Sequence, residues 1–196
     1  IEDFIHQALR EAGFEDAAMA REGPLARHCA RWLDRFERER RARGATLLIE
    51  KTGQMTFDAP SGPFTLTAKA DRIELDADGA AVIDFKTGRT PSQKEVLAGF
   101  APQLTLTAAI MAAGGFAPTA PATEATELLY VKITGRGEVG SVADMAKMTG
   151  KQTLNAAQLA ERELNRLRDG VAAFDDVATP YASWVAPQFM GNFGGN

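Results

Sequence analysis

Ala70-Asp71-Arg72-Ile73-Glu74-Leu75-Asp76-Ala77-Asp78-Gly79-Ala80-Ala81-Val82-Ile83-Asp84-Phe85-Lys86 is the stretch on which the fold turns. Asp76-Ala77-Asp78-Gly79 is a turn signal between two runs rich in β-formers. In the second run, strand alternation points Ile83 and Phe85 to one side and Val82, Asp84 and Lys86 to the other. Asp84 and Lys86 then sit on one face, roughly 7 Å apart along the strand. A four-residue loop pairs Leu75 with Ala80 and sets Asp71 opposite Asp84, at a backbone spacing of roughly 5 Å.

Two carboxylates held that close repel, and are stable together when a cation lies between them or one is protonated. Hard oxygen ligands of this kind suit Mg2+ or Mn2+ better than zinc. An amine beside them, Lys86, can polarise an attacking water or offset charge on a pentavalent phosphate. The same spacing also accommodates a plain cross-strand ion pair between Asp71 and Lys86, with Asp84 capping the next turn. Spacing alone leaves both readings open.

Outward from this hairpin, Thr46 to Phe57 and Phe64 to Leu75 read as strands, separated by Ala59-Pro60-Ser61-Gly62-Pro63, and Ala80 to Lys86 completes an antiparallel set of three. Upstream, Arg21 to Arg43 is a basic amphipathic helix with Leu25, Trp32, Leu33 and Phe36 on its apolar face. Glu22, Asp34, Glu37 and Glu39 stand among its arginines, so its polar face is either a solvated, ion-paired surface or a DNA contact. Ser92 to Met111 is helical but broken at Gly99 and Pro102, with Leu104, Ala108 and Met111 turned inward. Glu127 to Thr134 reads as a strand, and Asn155 to Phe174 as a helix with Leu159, Leu164, Leu167, Val171 and Phe174 in one stripe. That order predicts an α/β sandwich in which a mixed β-sheet is flanked by helices, one domain over residues 1–196.

With 196 residues, 45% of them hydrophobic and 24% charged, the chain has enough apolar content for a sizeable core. The net charge of -4 leaves room for a local basic track, since screening limits the reach of charge to roughly 10 Å. No apolar run approaches the roughly 20 residues of a membrane span, and no secretion signal opens the chain, so a cytoplasmic location is expected. The single cysteine, Cys29, excludes an internal disulfide and an all-cysteine cluster. The absence of an initial methionine and the loop-like end Gly191-Asn192-Phe193-Gly194-Gly195-Asn196 suggest a fragment of a longer polypeptide. Gly135-Arg136-Gly137-Glu138-Val139-Gly140 spells a dinucleotide-binding fingerprint but lacks a βαβ context, and is read as a hairpin or loop. Trp32 and Trp184 are assigned to packing, and no ATP-binding phosphate loop is present.

The order Ala70-Asp71-Arg72-Ile73, Val82-Ile83-Asp84-Phe85-Lys86-Thr87-Gly88, Gln103-Leu104 resembles the motifs of RecB-like PD-(D/E)XK nucleases. A nearer likeness is to the nuclease domain of the AddB family of helicase–nuclease subunits. It runs through Lys86-Thr87-Gly88-Arg89-Thr90-Pro91-Ser92-Gln93-Lys94, Ala101-Pro102-Gln103-Leu104 and the tail Phe174-Asp175-Asp176-Val177-Ala178-Thr179-Pro180-Tyr181. The resemblance implies a restriction-endonuclease-like fold, with Asp71, Asp84 and the Phe85 carbonyl as ligands of Mg2+ or Mn2+ and Lys86 as the catalytic lysine. It places Gln103 at the active-site rim or on DNA. Phe4-Ile5-His6-Gln7-Ala8-Leu9 looks like the family's first helix, which makes His6 a candidate metal ligand with His28 in reserve. Where the family often has a tyrosine four residues after the glutamine, this chain has Thr107. Some AddB branches hold an iron–sulfur cluster on four cysteines; one cysteine excludes it here. The implied activity is exonucleolytic cleavage of single-stranded DNA ends during double-strand-break repair, with an AddA-like helicase–nuclease subunit as partner. The alternatives are a stand-alone RecB-like or Cas4-type exonuclease, or an inactive nuclease fold kept for DNA binding or assembly.

Overall fold

The computed structural model describes residues 2–134, 137–148 and 153–180. Helix α1 (Glu2–Glu11) and helix α2 (Asp16–Arg41) precede a hairpin of two long strands, β1 (Thr46–Ala59) and β2 (Gly62–Leu75). Strand β3 (Ala80–Lys86) leads through α3 (Gln93–Ala98) and α4 (Gln103–Ala112) to β4 (Ala125–Ile133), then to β5 (Gly140–Asp144) and α5 (Ala156–Asp175). The sheet has the order β1-β2-β3-β4-β5 and is antiparallel except where β3 and β4 run side by side in the same direction. This is the mixed sheet flanked by helices that the sequence predicts.

A parallel pair needs a crossover, and α3 and α4 provide it. Ser92 caps α3 reciprocally with Glu95, and Gly99 ends it in the left-handed conformation at φ 80°. Helix α4 then enters the interior, so Leu104, Thr105, Thr107, Ala108, Ala109, Ile110 and Met111 are all buried. Such a helix is apolar on nearly every side because protein surrounds it. Thr105 satisfies its own buried hydroxyl by donating to the Pro102 carbonyl at 3.0 Å.

On the α4 face, Val82, Leu128 and Tyr130 of the sheet pack with Leu104 and Ala108 of α4 and Leu159 of α5. Towards the hairpin, Leu48 and Ile73 meet Ile110, Met111 and Phe116. On the opposite face, Ile83, Leu129 and Val131 lie under Phe36 and Trp32 of α2. The alternation read in Ala80 to Lys86 therefore divides the two layers as expected.

The α2 face also holds a buried charge network. Arg40 is 7% exposed, Arg72 5% and Glu74 2%. Arg40 donates to Glu74 at 2.7 Å and to Glu127 at 2.5 Å, Arg43 donates to Glu127 at 2.6 Å, and Arg72 pairs with Glu37 and Glu74. The solvated, ion-paired reading of α2 holds for Arg38 with Asp34 and Arg41 with Glu37. It fails for Arg40, whose charge is turned into the sheet.

Other differences are local. The break between β1 and β2 is tighter than expected, because Ala59 pairs with Gly62 and only Pro60 and Ser61 turn the chain. Helix α2 starts at Asp16 and carries Pro24 within it. Strand β5 was not expected; it opens at Gly140, where a Cβ would lie 2.3 Å from the Trp32 ring. The bare backbone there lets the indole pack flat against the sheet edge. The glycine-rich stretch thus runs into a strand and opens no helix, with residues 135 and 136 outside the described ones.

Candidate active site

Strands β2 and β3 pair from Leu75 with Ala80 to Arg72 with Ile83, the register expected from the turn. Asp71 and Asp84 come next along it. Beyond that point Asp71 leaves the ladder on both sides. On the β1 side, Ile49 pairs with Arg72 and Lys51 with Ala70, while the intervening Glu50 takes φ 54°. Among the described residues Glu50 is the one non-glycine with positive φ, a conformation that L side chains resist. On the β3 side, the Asp71 carboxylate replaces the backbone partner: its Oδ2 accepts the Phe85 N–H at 2.9 Å.

Asp84 is 3% exposed. Lys86 Nζ stands 2.6 Å from Asp84 Oδ2, an oxygen buried from solvent whose one close cationic partner among the described residues is this ammonium. The same ammonium donates to Gln103 Oε1 at 3.2 Å and lies 5.6 Å from the centre of the Tyr130 ring. Asp84, Lys86 and Gln103 are thus gathered, with Asp71 tied to the residue between the first two. In the ion-pair reading left open by spacing, Lys86 would take Asp71; instead its partner is Asp84.

Burial is the largest cause holding the Asp84 carboxyl above its ordinary range; Lys86 opposes the shift and the negative charge of Asp71 adds to it. A carboxylate whose ionised form is disfavoured by burial and by a second acid gains most from a cation. Burial, followed by the charges of Asp84 and Glu95, pushes the Tyr130 phenol up to about 12. Glu95 has the opposite fate: the Arg89 fork, with both contacts at 2.8 Å, and then Ser92 pull its carboxyl down to about 2.

The donor set fits a hard divalent ion. Asp84 is a buried carboxylate that feels the negative charge of Asp71 and, among the described residues, has only the Lys86 ammonium against it, and the Phe85 carbonyl belongs to the residue between Asp84 and Lys86. Among the described residues no three His, Cys, Asp or Glu side chains form a cluster able to hold a metal. The expected histidine therefore does not join the two aspartates. His6 lies against α2, its Nε2 3.8 Å from where a Cβ on Gly23 would stand, and His28 is exposed on α2. Thr107 is 3% exposed inside α4, so the position where the family often has tyrosine points into the core. Trp32 stacks on Phe36 with ring centres 5.5 Å apart, and belongs to packing; Trp184 lies outside the described residues.

Sequence reasoning missed Tyr130, the Arg89–Glu95 clamp and the strained Glu50. Tyr130 is the parallel partner of Asp84, and only that register puts its ring below Lys86. The one available signal was the capping pattern Ser92-Gln93-Lys94-Glu95, which anticipates the helix start that orients Glu95.

Comparison with known proteins yields a match to the PD-(D/E)XK nuclease superfamily over residues 2–183. Uncharacterized proteins of Rickettsia conorii and Rickettsia felis are each 29% identical over 82 residues, covering 41% of this chain. The chain spans about a tenth of the length of these relatives, 10% in both cases. A solved structure titled SSO0001 superimposes with a TM-score of 0.35 and 16% identity, covering 61% of this chain and 50% of that one.

Proposed function

Since this chain belongs to the PD-(D/E)XK nuclease superfamily, and so to a group of phosphodiester hydrolases, we propose that it is a metal-dependent exonuclease domain acting on single-stranded DNA. Asp71, Asp84 and the carbonyl of Phe85 would hold Mg2+ or Mn2+, which would supply charge neutralisation at the scissile phosphate. Lys86 is the catalytic lysine. Its ammonium donates to the phosphate as water adds to phosphorus and the 3′ oxygen departs with a proton. Gln103 holds Lys86 from the helix side and lines the rim where DNA enters. The observation that carries this reading is the meeting of the buried Asp84 carboxylate with Lys86 beside Asp71, at 2.6 Å for the ion pair.

The finer assignment rests on the likeness to AddB through residues 86–94 and 101–104. In it the chain is one nuclease domain, 1–196, of a longer cytoplasmic polypeptide that works with an AddA-like helicase subunit in break resection. Among the described residues no helix is long and apolar enough to cross a membrane. A stand-alone exonuclease has the same site and differs in what flanks it.

The test is cleavage of an end-labelled single-stranded oligonucleotide with Mg2+ or Mn2+, comparing the protein with Asp84→Asn and Lys86→Ala. Each variant is expected to lose roughly 10²–10³-fold in kcat, the scale of removing one group that acts on the transition state. Asp84→Asn is also expected to lose the rise in melting temperature that Mn2+ gives the unaltered protein. Equal cleavage by all three proteins defeats the assignment of the site. A folded protein that neither cleaves nor binds Mn2+ favours the inactive assembly module.

A further inference from the structure

We propose that Tyr130 is a positioning residue for Lys86, its ring face fixing the ammonium over the scissile phosphate. The proposal rests on the nuclease reading above for its consequence, and on geometry for its content.

Lys86 is the last residue of β3, and Thr87 and Gly88 beyond it are exposed. The backbone there does little to fix the end of a long, flexible side chain. Three contacts restrain Nζ: Asp84 Oδ2 at 2.6 Å, Gln103 Oε1 at 3.2 Å, and the Tyr130 ring at 5.6 Å from its centre, inside the range of cation–π attraction. They differ in what happens when the site works. Asp84 is also the residue that a divalent ion would take, so its hold on the ammonium weakens when that ion is present. Gln103 is exposed and faces competition from water and nucleotide. The ring has neither competitor. It is 1% exposed, packed among Val82, Val96 and Leu104, and set in register with Asp84.

The Tyr130 hydroxyl is buried and has no hydrogen-bond partner among the described residues. The contact with Lys86 is made by the ring face, so Tyr130→Phe removes the hydroxyl and leaves that contact, whereas a ringless side chain removes both.

Lysine labelled with carbon-13 at Cε allows the test without catalysis. The Lys86 ε-methylene protons, identified by their loss in Lys86→Arg, are expected upfield of the other lysines because of the ring. They should stay there when MgCl2 is added, stay in Tyr130→Phe, and move to the random-coil position in Tyr130→Leu. On a single-stranded oligonucleotide, Tyr130→Leu is expected to lower kcat roughly tenfold with KM changed less than about twofold, and Tyr130→Phe to recover most of that loss. Should Tyr130→Leu fail to melt cooperatively, Tyr130→Met fills the space without a ring and the same readouts decide. Random-coil Lys86 signals in the unaltered protein overturn the proposal, as does full kcat in a folded ringless variant or equal loss in the Phe and Leu variants. Ring-shifted Lys86 signals in a protein that does not cleave DNA instead overturn the nuclease reading alone.

Discussion

At the scale of the residue, Glu95 shows how neighbours set a charge. Its carboxyl, held down to about 2 first by Arg89 and then by Ser92, lies below the ordinary value near 4.3. A lowered folded-state value means that the unfolded chain takes up the proton first, so the stabilisation is complete above the unfolded value and is lost as pH falls from about 4.3 through about 2. Glu95→Gln is therefore expected to melt below the unaltered protein at pH 7, by a gap that narrows between pH 4.5 and pH 3, as followed by circular dichroism. A gap that does not narrow would place its origin in shape and not in charge. Asp71, Asp84 and Lys86 were legible in the sequence because a four-residue turn and a period of two are local facts. Tyr130 was not, since its place beside Asp84 depends on a parallel register set by a distant crossover. Nor was Glu50: nothing in its type announces a left-handed backbone, which the interrupted ladder opposite Asp71 imposes.

Among the elements, α2 was found from its apolar stripe, yet its most consequential polar residue was misjudged. Arginine and glutamate alternating on a helix suggest water on that side; Arg40 instead reaches Glu74 and Glu127 under the helix. Removing one member of a buried pair strands the others, so Glu74→Ala should cost about 3–5 kcal/mol. Asp34→Ala, which breaks the exposed contact with Arg38, should cost no more than about 1 kcal/mol. Urea unfolding at 25 °C measures both, and similar midpoints for the two variants would show that the network adds nothing beyond a surface pair. Strand β5 escaped notice because Gly140-Ser141-Val142-Ala143-Asp144 is short and has a single strong β-former; it is a strand by virtue of the β4 edge it pairs with and the indole beneath Gly140.

For the whole molecule, the decisive feature is the seam between β3 and β4, where the sheet changes from antiparallel to parallel. Strands on its early side are joined by tight turns and meet neighbours close in sequence; those beyond it wait for the α3–α4 crossover to close, a slower event for a chain. Pulse-labelled hydrogen exchange during refolding should accordingly protect amides of β2 and β3 before those of β4, and simultaneous protection would argue against this order. The two aspartates lie on the early side and the tyrosine under the lysine on the late side. A half-made chain emerging during synthesis would thus carry its two acids and its amine long before the aromatic ring beneath that amine had docked.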